Sequence, residues 1–361
     1  MKSPDKYLIA LSTFVPFGPV RIKVLLDYFE EPEKLWKAGA SKLRQLGVSD
    51  KLARSFEEHK EDFDLEGYVE RLKKHKIQVL TKTSKHYPAE LKGLDNGPFA
   101  LNVLGDVKSL SKNCIAIVGT RKMSSYGREV TRSFATVFSS RNLCVVSGLA
   151  RGIDTQAHTA AILAGGKTVA VLGCGLNTIY PAENVGLAKK IIEKDGALIS
   201  EYPLDYPALR ANFANRNRII SGMAKAVVVV EGRAKSGTLL TATHAANQGK
   251  TVFAIPGPIT SPNSQAPHFL LKNGARLATE PQDVLEDLGL QIQVDKEKIE
   301  EVLPEGPAEK KIYESLESGS LHLDEIVRIT GLTTAEVSAT LTIMEIKGLA
   351  RSMGAGEYKR N

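Results

Sequence analysis

Six short runs in the middle of the chain are apolar at nearly every position: 114–118 (CIAIV), 143–146 (LCVV), 168–172 (TVAVL), 197–199 (ALI), 226–230 (AVVVV) and 252–255 (VFAI). A strand with one wet face alternates apolar and polar residues, whereas a continuous β-branched run predicts a strand buried on both faces. Helical patterns lie between most of these runs, for instance at 126–139, 155–164 and 239–248. The alternation predicts an α/β fold, a doubly wound parallel sheet across residues 77–290, with ligands outside the carboxyl ends of its strands.

The flanks have a different pattern. Within residues 1–76, Phe17-Gly18-Pro19-Val20 leads into Ile22, Val24, Leu25, Leu26 and Phe29, followed by Leu35-Trp36, Leu43, Leu46-Gly47-Val48 and Leu52-Ala53 with Phe56. Short helices joined by glycine turns resemble helix-hairpin-helix or SAM-like modules. Some of these touch DNA backbones, others only proteins, and a small packing domain fits the pattern as well. Residues 291–307 (QIQVDKEKIEEVLPEGP) read as a linker. Residues 308–361 predict helix, helix, turn, helix and a terminal hairpin, a winged-helix-like unit. Its third helix carries Thr334, Glu336, Thr340 and Thr342, and no arginine follows until Arg351. A groove-reading helix normally brings Arg or Lys, so protein contact is the favoured reading.

Composition adds bounds. The 361 residues are 42% hydrophobic and 25% charged, ordinary for a globular protein with a substantial core. No apolar run approaches the ~20 residues of a membrane span, and the N-terminus has no signal-peptide pattern, so a cytoplasmic protein without membrane association is expected. A net charge of +7 raises the odds of a polyanionic partner only modestly. Cys114, Cys144 and Cys174 are far apart in sequence and read as buried thiols. No metal-ligand spacing occurs, and no metal or other cofactor is expected.

The candidate chemistry lies in loops after the strands. The stretch EGRAKSGTLLTA (231–242) has the glycine spacing of a P-loop, but Lys235 precedes Gly237, and Thr238-Leu239 follow it. The true Gly-Lys-Thr triplets, at 166–168 and 249–251, sit between a helix and the next strand, the wrong context for a P-loop ATPase. What remains is an anion cradle: Lys235 beside Ser236, Gly237 and Thr238 at a helix N-terminus. Two similar loops are Gly119-Thr120-Arg121 and Ser147-Gly148-Leu149-Ala150-Arg151, and Arg216 and Arg218 form a fourth basic element. Asp154, His158, Glu183, Glu201 and Glu231 are available, but no nucleophile has an evident base, and Glu231 and Asp154 read equally well as partners for arginines. No catalytic residue is assigned.

At these residues the sequence resembles the DNA-processing protein A (DprA/Smf) family. The motifs are Ile117-Val118-Gly119-Thr120-Arg121, Ser147-Gly148-Leu149-Ala150-Arg151-Gly152-Ile153-Asp154 with Ala157-His158, and Tyr180-Pro181. They continue through Ser200-Glu201, Asn215-Arg216-Asn217-Arg218-Ile219-Ile220, Ser236-Gly237-Thr238-Leu239 and Pro256-Gly257. The resemblance implies an extended Rossmann core that binds single-stranded DNA without reacting with it. It also implies a role in natural transformation, loading RecA recombinase onto incoming strands, with a homodimer as the working form. On this reading the phosphate contacts are Gly119, Thr120, Arg121, Ser147, Gly148, Arg151, Arg216, Arg218, Lys235, Ser236, Gly237 and Thr238, with Arg121 and Lys235 the main ones. Three positions depart from the family pattern: Ala214 where proline often follows Phe213, Ala266 where glycine is usual, and Gly232 where alanine is common. Ala266 is expected to alter its turn. Two other readings stay open on the residues alone. One is a Rossmann enzyme that hydrolyses nucleotides, whose usual Pro-Gly-Gly-x-Gly-Thr loop is missing here. The other is a transcription regulator acting through 308–357.

Overall fold

The computed structural model describes residues 3–289, 306–346, 349–354 and 356–360. Nearly all of the expected linker therefore lies outside the described residues. The chain divides into two units, Met1–Leu290 and Gln291–Asn361.

The first unit is built on nine strands: β1 (Ile77–Thr81), β2 (Ala100–Gly105), β3 (Cys114–Val118), β4 (Cys144–Ser147), β5 (Thr168–Val171), β6 (Ala197–Ser200), β7 (Ala224–Val229), β8 (Thr251–Ala254) and β9 (Arg276–Leu277). Their order is β1-β2-β6-β5-β4-β3-β7-β8-β9. The strands from β6 to β9 in that order pair in parallel, while β1 and β2 join antiparallel at one margin. The expected doubly wound α/β sheet is present, with the six apolar runs as its central strands.

Each strand sends alternate side chains into a different core. Ala116, Val118, Val146, Val171 and Val229 face Ile219, Ile220, Met223, Ala242 and Ala245, from helices Arg210–Met223 and Gly237–Asn247. Ile115, Ile117, Val145 and Val228 face Phe134, Phe138, Ala157 and Ala161, from helices Ser125–Ser140 and Ile153–Leu163. Helices on both faces explain why the strand runs are apolar throughout. The chain winds outward from β3 through β4, β5 and β6, then returns to β7 on the other side of β3. That reversal places a topological switch point between β3 and β7 and opens a crevice at their carboxyl ends.

The N-terminal helices have a core of their own, in which Phe14, Phe17, Leu25, Leu35, Leu43 and Phe56 are buried. Ile9, Tyr68 and Leu72 also pack with Ile77 and Leu198 against the sheet. Among the described residues no single helix is long and apolar enough to cross a membrane.

The second unit has helices Pro307–Ser315, Leu323–Thr330 and Thr334–Ile346 and a three-stranded sheet, β10 (Leu321–His322), β11 (Ala350–Gly354) and β12 (Glu357–Arg360). Ile312, Leu316, Ile326, Val337, Leu341 and Met344 form its core. This is the winged-helix arrangement expected from the sequence.

Candidate nucleic-acid interface

The loops after β4, β3 and β7 are neighbours on one sheet edge, because those strands are adjacent and parallel. They are laced together. The Thr120 amide donates to Glu231 O at 2.8 Å, and the Ile153 amide donates to Thr120 O at 3.1 Å. The Glu231 carboxylate is buried and accepts from the Ser124 amide at 3.0 Å and the Ser124 hydroxyl at 2.5 Å. Asn263 Nδ2 donates to Lys122 O at 3.1 Å. Glu231 is therefore a clamp between two loops and pairs with no arginine among the described residues, contrary to one sequence expectation.

Arg121 projects from this frame. It is exposed, makes no ion pair among the described residues, and its guanidinium carbon lies 5.9 Å from the centre of the Phe213 ring. Tyr180 stands beside the same ring, with centroids 5.2 Å apart. Arg121, Ala150, Arg151, Tyr180, Pro181 and Phe213 line a small pocket there. Sequence reasoning found no stacking residue. The aromatic pair is brought together from points 33 positions apart, which no local pattern displays.

Lys235 is likewise exposed and free of ion pairs among the described residues. Next to it Ser236 caps the helix Gly237–Asn247 without using its side chain on the helix. Its Oγ is buried and has no hydrogen-bond partner among the described residues. The first amides of a helix have no intrahelical acceptor, so Gly237 and Thr238 present N–H groups at the positive end of the dipole. The Thr238 side chain itself is buried.

Most of the other expected contacts turn inward. The Ser147 hydroxyl donates to Ile117 O at 2.7 Å. The Gly148 and Ala150 amides donate to the buried Asp154 carboxylate at 3.1 and 3.3 Å, so this loop has filled its anion site with its own side chain. Burial pushes the Asp154 carboxyl up, against the opposing pull of Arg216. Arg216 is only 4% exposed. Its Nη1 donates to Gly148 O at 2.7 Å and also to Val171 O. Burial lowers its guanidinium to about 10, so it stays charged at neutral pH. Glycine is required at 148 because a Cβ there would come within 2.4 Å of Arg216 Nη2. Arg218 is buried against Glu201 in an ion pair. Arg151 is exposed, but its Nε donates to Glu183 at 2.9 Å. Ser147, Gly148, Arg216 and Arg218 thus form the support of the edge rather than its surface. An arginine on a polar helix reads as solvent-facing. Only its position before Ile219-Ile220 signals otherwise.

A doubly wound sheet with cationic loops at its switch point thus shares one chain with a winged helix. Residues 78–289 match the family described as DNA recombination-mediator protein A, and residues 301–356 match the DprA winged helix domain; the chain belongs to the DprA/Smf family. Protein Smf of Escherichia coli is 48% identical over a stretch covering 58% of this chain and 56% of that protein. Protein Smf of Synechocystis is 31% identical over 99% of both. Among solved structures, DNA processing protein A from Streptococcus pneumoniae aligns with a TM-score of 0.68 at 32% identity, covering 80% of this chain and 99% of that one. The Helicobacter pylori protein, described for its single-stranded DNA binding mode, aligns with a TM-score of 0.54 at 27% identity, covering 59% and 96%.

Proposed function

We propose that the carboxyl edge of β4, β3 and β7 holds the backbone of single-stranded DNA, and that the protein binds the strand without reacting with it. The observation that carries this reading is the pair of exposed cations, Arg121 and Lys235, on two loops locked to each other through Glu231 and Ser124. The Thr120 hydroxyl, which accepts from the Lys122 amide and keeps its proton to donate, and the Ser236-Gly237-Thr238 helix start supply the neutral part of the cradle. Phe213, with Tyr180 beside it, is the platform for a base. The carboxylates at these loops, Asp154 and Glu231, are taken up by loop donors, which favours binding over acid–base chemistry.

Family membership supports the wider role: protection of incoming strands in the cytoplasm and loading of RecA recombinase during natural transformation. A homodimer fits the β8–β9 margin, where the short edge strand β9 carries exposed Leu277 and the preceding helix exposes Phe269. Edges with apolar side chains are places where a second chain adds.

The test is strand binding by the Arg121→Ala/Lys235→Ala protein. Single strands lose affinity with salt at a log–log slope of about −0.7 per neutralised phosphate, so losing two contacts should weaken binding and flatten the slope by about 1.4. Phe213→Ala should remove about 1–3 kcal/mol of stacking while leaving the slope intact. A folded double variant with wild-type affinity and slope would remove the proposed site. RecA assembly on strands coated with single-strand-binding protein tests the loading role.

A further inference from the structure

On the other side of the helix Arg210–Met223, away from Arg121, lies a separate cavity of about 270 Å3. One wall is Phe14 and Val15 with Gly18 and Pro19 at the start of the helix Gly18–Phe29; the other comes from Pro98 and Phe99 ahead of β2. The floor is polar: Glu201 and Arg218, joined in their ion pair, with Tyr202 and the rim residue Asn215 beside them.

The ion pair is nearly buried, with side chains 9% and 13% exposed. A pair that serves the fold alone is best stabilised when further hydrogen bonds satisfy its remaining atoms. Here only Glu201 Oε2 and Arg218 Nη2 are used. Glu201 Oε1 and Arg218 Nε and Nη1 have no other hydrogen-bond partner among the described residues. Nor are they among the sealed, unpaired polar atoms, so they keep some solvent access, and both residues line the cavity. The floor therefore offers an acceptor and donors side by side, between apolar and aromatic walls. The volume is close to the lower end of the roughly 300–1,000 Å3 of small-molecule sites, the size of a planar ring system.

We propose that this cavity takes a nucleobase, guanine by preference. Guanine presents N–H donors to the carboxylate beside a carbonyl oxygen for the guanidinium, and Phe14 and Phe99 contact its faces. Thymine reaches the same groups with one N–H donor fewer than guanine, and adenine has no carbonyl and leaves the guanidinium unpaired. A site built on hydrogen-bonding groups rejects rings that leave those groups unpaired. The base arrives either on a free nucleotide or as a unit of a bound strand. The site goes beyond the phosphate edge and does not use Arg121, Lys235 or Phe213.

The experiment titrates the full-length protein with guanosine and thymidine monophosphates, and with an all-dT strand against the same strand bearing one central dG. Glu201→Gln removes the acceptor charge, and Val15→Trp fills the cavity while leaving the ion pair in place. Thermal melts confirm that each variant is folded. Binding of guanosine monophosphate that drops at least tenfold in both variants supports the free-nucleotide source. A preference for the dG strand, lost in both variants without binding of the mononucleotide, supports the strand source. No binding of guanosine monophosphate at millimolar concentration together with no dG preference overturns the proposal. The all-dT strand reads the phosphate edge alone: its failure to bind would sink the strand reading, while the mononucleotide arm still tests the cavity.

Discussion

Gly232 and Ala266, from different loops, lie in contact. The Ala266 amide donates to Gly232 O at 2.8 Å, and a Cβ at 232 would meet Ala266 Cβ at 2.9 Å. The turn at Ala266 closes because Gly232 leaves room for its methyl group. Gly232→Ala alone should therefore cost about 1–3 kcal/mol by overpacking. Gly232→Ala with Ala266→Gly should recover most of the loss, as expected of touching residues that couple. Urea denaturation of the two single variants and the double variant reads this directly. An additive result would show that the contact does not set the pairing. Arg216 supplies a second contrast at this scale. Arg216→Met leaves Gly148 O and Val171 O without their donor and Asp154 without its cation, and should destabilise by about 3–5 kcal/mol. Arg121→Ala, on the surface, should stay within about 0.5 kcal/mol of wild type. Equal effects of the two in urea unfolding would contradict the division between supporting and surface arginines.

The legibility of the elements follows from their burial. The six central strands were readable because both faces are covered, which leaves no polar alternation to confuse them with surface strands. β1 and β2 were missed: they pair antiparallel at the margin, and IQVLT carries a glutamine on its exposed side. β9 has two residues, too few for any period. The loops were recognised as glycine-rich and basic, but which of them bind depends on what their amides already hold. Asp154, six residues beyond Gly148, closes one cradle, and no spacing rule announces that. One element contact also makes a pH prediction. His158, on the helix Ile153–Leu163, is fully buried against β5. Thr168 donates its hydroxyl proton to Val145 O at 2.6 Å, so it accepts from His158 Nδ1–H at 2.7 Å. Burial, with Arg216 nearby, pushes the imidazole down from 6.5 to about 3. The unfolded chain then binds a proton below pH 6.5 that the folded state accepts only near 3, so acid favours unfolding. His158 should remove up to about 1.4 kcal/mol per pH unit across that window. Asp154, raised by burial, works with the opposite sign, losing stability as pH rises through its elevated folded value. The difference between wild type and His158→Gln isolates the histidine: urea unfolding between pH 7.5 and 5 should be steeper in pH for wild type. Parallel curves would place the proton elsewhere.

At the scale of the whole molecule, every group assigned to the strand belongs to Met1–Leu290, and the winged helix holds a core of its own. The described solvent-facing positions of its third helix include Thr334, Ala335, Ser338, Thr342 and Ile343, with Glu336 and Glu345 supplying the only charges and both of them negative. Such a face repels a phosphate backbone and lacks the guanidinium or ammonium groups that read base edges. Sequence gave the same indication, because the missing cations are visible without coordinates. It follows that a chain ending at Leu290 should bind an all-dT strand with the affinity and salt slope of the full protein. The full protein should also show no preference for any duplex over single strands in competition. Counterion release makes the slope the sharper measure, since it counts contacted phosphates independently of concentration errors. A truncated protein whose slope is shallower by one or more phosphates would assign backbone contacts to the second unit, and its basic hairpin residues, Arg351, Lys359 and Arg360, would be the side chains to replace next.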